Sequence, residues 1–213
     1  MKIYAISGLG ADKRVFQYLT LNHDLITIDW ITPEENEPIE KYAERLSVVI
    51  DTTEEFALIG VSFGGLIAVE ISKIIQPRIT FLISSVETKD ELPKMFRWIG
   101  KSVLKYLPER FFDIPRKSAG FVFGTSNTVL LHQILDDTDL SFAKWAINQL
   151  VNWKNTERLK SVMKISGSND KIIPASGGEN EILIQDGAHF MIVDRAAEIS
   201  EWINLKMESI AQV

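Results

Sequence analysis

Residues 56–70 read Phe-Ala-Leu-Ile-Gly-Val-Ser-Phe-Gly-Gly-Leu-Ile-Ala-Val-Glu. Ser62 stands at the centre of a Gly-x-Ser-x-Gly run formed with Gly60 and Gly64, and Gly65 follows directly. The run that enters it, 56–61, is short and apolar, as a buried strand is. The run that leaves it mixes apolar and polar positions, as a helix does. A serine on a strand-to-helix turn is a nucleophile elbow. The turn strains the backbone at the serine and crowds the positions beside it, which therefore need glycine. The hydroxyl projects into a cleft at a helix N-terminus, where negative charge is favoured. The pentapeptide alone would equally suit a glycine-rich turn that closes a strand, so its partners decide.

A serine hydroxyl needs a base within hydrogen-bond reach, and the base needs a third group to orient it. The chain has three histidines, His23, His132 and His189. His23 sits in a polar turn, and His132 lies inside an apolar helical stretch. His189, in Asp-Gly-Ala-His-Phe, falls in a loop after the last strand pattern and before the last helix pattern. In a parallel sheet that loop shares the carboxyl edge with the elbow. The orienting carboxylate should lie between the two in chain order, on another loop of that edge. Asp170, in Ile-Ser-Gly-Ser-Asn-Asp-Lys, fits this place, although an aspartate in such a turn also caps backbone. Glu87, after the fourth strand, is the substitute. Asp186 and Asp194 are near His189 in sequence but are not expected to reach its ring.

The elements that must position these groups alternate. Strands are predicted at Lys2–Ile6, Leu25–Asp29, Phe56–Val61, Ile79–Ser84, Ser161–Ser166 and Glu181–Ile184. Helices are predicted over Lys13–Leu19, Pro38–Ile50, the segment after Ser62, and Phe190–Ile210. This alternation implies a three-layer α/β sandwich around a mainly parallel sheet of about six strands. Residues 88–156 break the rhythm with helical patterns and many aromatic residues. Within them Lys94, Arg97, Lys101 and Lys105 share one helical face, beside Met95, Trp98, Ile99, Val103 and Tyr106. Such a basic helix can lie on a membrane surface, but the preferred reading is a helical insertion packed over the sheet.

A chain of 213 residues favours one domain, and at this size a core needs no staples. With no cysteine, disulfides, thiolate metal sites and a cysteine nucleophile are excluded. Net charge is −6, with lysines and arginines scattered, so a nucleic-acid partner is not expected. The N-terminus reads as a strand rather than a signal peptide, and no apolar stretch reaches the ~20 residues of a membrane span. The expected setting is cytoplasmic. The sequence carries no signal for oligomeric state.

Three motifs, Gly60-Val-Ser62-Phe-Gly64-Gly65, Gly167-Ser-Asn-Asp170 and Gly187-Ala-His189, occur in the order Ser, Asp, His. In that order and on those elements, the chain resembles the α/β-hydrolase superfamily over nearly its whole length. The resemblance implies a core of residues 1–87 and 157–213, without the N-terminal hairpin of longer relatives, and a helical cap at 88–156. It implies a catalytic triad of Ser62, Asp170 and His189, and an oxyanion hole formed by the backbone N–H groups of Leu9 and Phe63. Relatives often carry His-Gly where this chain has Ser7-Gly8. The implied activity is hydrolysis of a small acyl substrate, most simply a carboxylic ester, without metal or organic cofactor. Thioesterase, acyltransferase and carbon–carbon hydrolase chemistry use the same machinery. A non-catalytic binding or scaffold protein on this fold is the other reading.

A dinucleotide fingerprint is imitated by Gly8-x-Gly10, with Asp29 ending the second strand. Lys13 occupies the position where the third glycine is required, so NAD binding is not expected.

Overall fold

The computed structural model describes residues 1–94, 96 and 104–211. Of the basic helical face read at Lys94, Arg97, Lys101 and Lys105, Arg97 and Lys101 lie outside them. Six strands form one parallel sheet: β1 Lys2–Ile6, β2 Leu25–Ile28, β3 Phe56–Val61, β4 Ile79–Ile83, β5 Val162–Gly167 and β6 Glu181–Ile184. Their order is β2-β1-β3-β4-β5-β6, and every neighbouring pair is parallel. β3 and β4 are buried along their whole length because both faces are covered, while the edge strands β2 and β6 are only partly buried. After β1 the chain moves to one side for β2, then returns across β1 to place β3 on the other. The loops that leave β1 and β3 therefore diverge, and a crevice opens between them at the carboxyl edge. Register aligns that edge, since Ile6 pairs with Gly60, Val61 with Ile83 and Gly167 with Ile184.

The helices bounded within the described residues are α1 Ile39–Ser47, α2 Phe63–Ile75, α3 Arg116–Phe123, α4 Thr128–Asp136, α5 Leu140–Asn152, α6 Met191–Asp194 and α7 Ala196–Ala211. α1 buries Ile39, Tyr42, Ala43 and Leu46, a stripe at helical spacing. It packs with α2 and α5 on the sheet face that presents Tyr4, Ile6, Leu58 and Leu82. The opposite face, with Ile3, Ile59, Phe81 and Ile165, is covered by α4, α6 and α7. The helices of 104–152 thus divide between the two cores. Among the described residues, none of 88–156 forms a strand, in keeping with the helical reading of that segment.

Two predicted helices differ. The helix expected over Lys13–Leu19 is a single 3-10 turn, Lys13–Phe16, capped by Asp12. Its buried residues Val15 and Phe16 are adjacent, so one turn buries both and no helical stripe is needed. The helix expected over Phe190–Ile210 breaks at Arg195 (φ −123°, ψ 27°). Residues 190–193 are all buried, and a straight helix could not also turn Ile199, Ile203 and Met207 to the same core. Strand ends shift by a residue at β2, β4 and β5. β4 stops at Ile83 because Ser84 adopts φ 48°.

Two polar devices secure these layers. The Tyr42 hydroxyl donates to Ile31 O (2.8 Å) and accepts from Ile31 N (3.1 Å), which ties α1 to the chain after β2. Its burial pushes the phenol up to about 12. Around it stand Trp30, Phe63, Phe142 and Trp145, with the Tyr42 and Trp145 rings 4.4 Å apart. α5 in turn satisfies the start of α1, where Pro38 supplies no side-chain cap, because Gln149 Oε1 accepts from Ile39 N (3.1 Å). The second device was not foreseen, since Lys164 lies in a strand otherwise rich in apolar residues. It is buried, and its Nζ lies 3.2 Å from Glu91 and against Ser176. Nearby, Glu181 accepts from Ser166 (2.6 Å) and from the N–H groups of Ser176 and Gly178. Among the described residues, no helix is long and apolar enough to cross a membrane.

Tyr42→Phe leaves Ile31 N–H and C=O without their partner and is expected to cost roughly 1–2 kcal/mol. An unchanged denaturant midpoint would rule this brace out. Burial opposes ionisation of Glu181, but the Ser166 hydroxyl, the backbone N–H groups and Lys164 outweigh it and hold the carboxyl below its usual range. A depressed folded-state value stabilises the fold above the ordinary glutamate range, and the gain disappears as pH falls through it. Glu181→Gln should therefore lower the urea midpoint at pH 7, and the gap to the parent should narrow near pH 3. An equal gap at both pH values would contradict this.

Candidate active site

β3 ends at Val61 and α2 begins at Phe63, so a single residue makes the turn. That residue, Ser62, has φ 51° and ψ −122°, outside the regions in which a serine is at ease. Such a conformation costs of order 1–3 kcal/mol and persists only where its surroundings enforce it. Here Ser62 N–H donates to Ile83 O (2.9 Å), while Ser62 O accepts from Gly65 N (2.9 Å) and Ser85 Oγ (2.7 Å). The glycines answer a steric demand. A Cβ on Gly60 would stand 2.5 Å from Gly65 Cα, one on Gly64 would run into Ser7 O, and one on Gly65 would meet the Ser85 side chain.

The loops after β5 and β6 meet beside this turn. Ser168 N donates to Ile184 O (3.0 Å) and Asn169 N to Gly187 O (2.8 Å). Gly167 and Gly187 touch backbone to backbone, which no side chain at Gly167 would permit. Asp170 Oδ1 accepts from the N–H groups of Ile172 (2.9 Å) and Ile173 (2.8 Å), so the carboxylate does cap its own turn. It also faces His189, whose Nδ1 lies 2.8 Å from Oδ2 and 3.1 Å from Oδ1. On the other side of the ring, Nε2 lies 2.9 Å from Ser62 Oγ. Asp170 and His189 are buried, and Ser62 is half-buried. Phe123, from α3, packs on the His189 ring at 5.9 Å, and Phe123 O accepts from Phe190 N (3.1 Å).

Leu9 lies in the turn that leaves β1, across the crevice from Ser62. The turn is closed by Ala11 N to Gly8 O (3.0 Å), and Ala11 O accepts from Ser7 Oγ (2.7 Å) and Trp30 Nε1 (3.0 Å). Ser7, at the position where relatives often carry histidine, thus turns its hydroxyl into the loop. Phe63 opens α2, with its ring buried among Trp30, Phe142 and Trp145. Among the described residues, neither Leu9 N–H nor Phe63 N–H is bonded to a protein acceptor. Leu9, Ser62 and His189 line one small cavity.

The other candidates stand apart. Glu87 is engaged by Arg158 Nη1 (2.7 Å) and Leu159 N (2.6 Å). His132 Nε2 lies 3.1 Å from Arg116 O. Asp186 and Asp194 are exposed, and His23 sits in a bend before β2. Gly8-x-Gly10 leads into a four-residue 3-10 turn, where a dinucleotide site needs a helix. Two supporting residues were missed: Ser85, which holds the elbow carbonyl, and Phe123, which backs the histidine ring. Neither forms a motif; only strand order and helix placement bring them in.

The arrangement is chemically competent. A hydroxyl hydrogen-bonded to imidazole can lose its proton as it attacks, and a buried carboxylate on the other ring nitrogen stabilises the cation that forms. No family model matches the chain, and no curated protein is recognisably similar to it in sequence. Solved structures are similar over nearly its whole length. The structure of Est816, described as an N-acyl homoserine lactone degrading enzyme, is 15% identical, with a TM-score of 0.72 over 95% of this chain and 92% of that one. A bromoperoxidase from Bacillus anthracis is 18% identical, with a TM-score of 0.72 over 97% and 91%. A thermophilic esterase is 17% identical, with a TM-score of 0.70 over 98% and 90%. The sheet order, the layers and these neighbours together identify the architecture: the chain has the α/β-hydrolase fold.

Proposed function

We propose that the protein is a serine hydrolase that acts on a small acyl substrate, most simply a carboxylic ester. One observation carries this reading: the unbroken hydrogen-bonded line from Asp170 through His189 to Ser62. Two structural neighbours described as an esterase and as a lactone-degrading enzyme support it.

Ser62 Oγ attacks the substrate carbonyl while His189 Nε2 takes its proton. The carbonyl oxygen becomes an oxyanion, which accepts from the N–H groups of Leu9 and Phe63. Preorganised donors of this kind are each worth ~10²–10³ in rate. The intermediate collapses, His189 returns the proton to the departing alcohol oxygen, and an acyl group remains on Ser62. Water then attacks with His189 as base, and the acid leaves as Ser62 regains its proton. Asp170 keeps Nδ1 protonated and stabilises the imidazolium at both stages. Its bonds to Ile172 and Ile173 hold the carboxylate in place and leave Oδ2 for the ring. Residues 88–156 act as the cap, with α3 and α4 forming the wall opposite the triad. A thiol, amine or carbanion leaving group would pass through the same steps, so thioester, amide and carbon–carbon hydrolysis and acyl transfer are variants of one mechanism.

Ser62→Ala should abolish turnover of p-nitrophenyl acetate, a loss of at least ~10⁴-fold, with circular dichroism unchanged. Full activity in the folded variant would refute the proposal. Asp170→Asn should lower kcat by about 10⁴-fold, because the wrong tautomer is then favoured; a loss below tenfold would remove Asp170 from its role.

A further inference from the structure

The cavity in front of Ser62 is small. It measures about 50 Å3, and among the described residues Ser62 and His189 provide its only polar side chains. The remaining walls are aliphatic or aromatic. Val15 and Ile192 belong to the packed core beneath the sheet edge, and each is 1% exposed. Leu131 and Leu135 come from α4 and Phe123 from α3. Larger cavities of about 280, 600 and 720 Å3 lie elsewhere, and neither Ser62 nor His189 lines any of them.

We infer that this cavity holds the acyl group of the substrate, that it admits uncharged straight acyl groups of about two to four carbons, and that Leu131, Leu135 and Phe123 set the limit. The inference rests on the serine-hydrolase reading. Size gives the length: a cavity of about 150 Å3 takes up six-carbon benzene, so one of 50 Å3 accepts about two carbons before its walls must give. A further one or two carbons can reach toward the opening. Chemistry gives the charge. Among the described residues the lining holds no cation, anion or amide, so a carboxylate or ammonium on the acyl chain would be buried without a partner there. The order of events gives the assignment. The alcohol must leave and water must enter while the acyl group stays bound to Ser62, so the enclosed apolar end suits the part that remains.

All four aliphatic side chains belong to one buried core, and Leu131 is no more exposed than Val15 or Ile192. Leu131 and Leu135 are one helical turn apart on α4, and either can be shortened. Removing three carbons from one of them opens room for about as many on the substrate.

The test uses two ester series on the full chain. In the first, p-nitrophenyl esters run from acetate to octanoate; in the second, acetate esters carry alcohols of rising length. The expected result is a fall in kcat/KM of at least tenfold between butanoate and octanoate, as a pocket that discriminates by methylenes produces. The alcohol series should vary only a few-fold, and a succinyl ester should be at least tenfold slower than a butanoyl ester. Leu131→Ala and Leu135→Ala, made separately, should each raise the hexanoate-to-acetate ratio at least tenfold, so the test survives if one variant fails to fold. Equal rates for short and long acyl groups, or sensitivity confined to the alcohol, would overturn the assignment while leaving a working hydrolase. If folded protein turns over no ester and a fluorophosphonate probe leaves Ser62 unlabelled, the hydrolase reading falls and takes this inference with it.

Discussion

Ser62 holds a backbone conformation that its own chemistry does not favour, at the one residue between a buried strand and a buried helix. The sheet bears that strain. Ile83 of the neighbouring strand accepts the Ser62 N–H, Ser85 just beyond it donates to the Ser62 carbonyl, and α2 closes its first turn on the same oxygen. Three glycines let β1, β4 and the start of α2 approach closely enough to do this. Because the turn lies beside the point where strand order reverses, the space in front of the hydroxyl is bounded by the β1 loop on one side and the β5 and β6 loops on the other. The crevice, the histidine and the two free N–H groups all take their positions from that junction.

The layers around the junction are fastened with little slack. On one face the aromatic group of Trp30, Tyr42, Phe63, Phe142 and Trp145 locks α5 to α1 and to the first residue of the elbow helix. On the other face α3 presses against the His189 loop, through Phe123 on the ring and through its C-cap Gly124 against Ala188. The same side chains therefore stabilise the fold and shape the cavity. That is why the space beside Ser62 and His189 is narrow.

Much of the candidate site was legible in the sequence because its parts are local. Ser62, Asp170 and His189 each sit in a short motif with glycine, and each follows a strand whose apolar run is visible. The parallel strands were legible for the same reason. What escaped depends on contacts distant in sequence. Ser85 matters because β4 lies beside β3, and Phe123 because α3 reaches the last loop. Lys164 interrupts an apolar strand, and only its partners Glu91 and Ser176 explain its burial. The 3-10 turn at Lys13–Phe16 and the break at Arg195 arise from how much surface the sheet offers, which no local pattern records.

The central claim is that Ser62 forms a covalent acyl intermediate. The most direct measurement is intact-protein and peptide mass spectrometry after rapid acid quench during turnover of a p-nitrophenyl ester. The account predicts one acyl group per chain, on the peptide that carries Ser62, forming at the rate of the initial nitrophenol burst. Steady turnover with no acyl group on Ser62, or with the adduct on another residue, would contradict it.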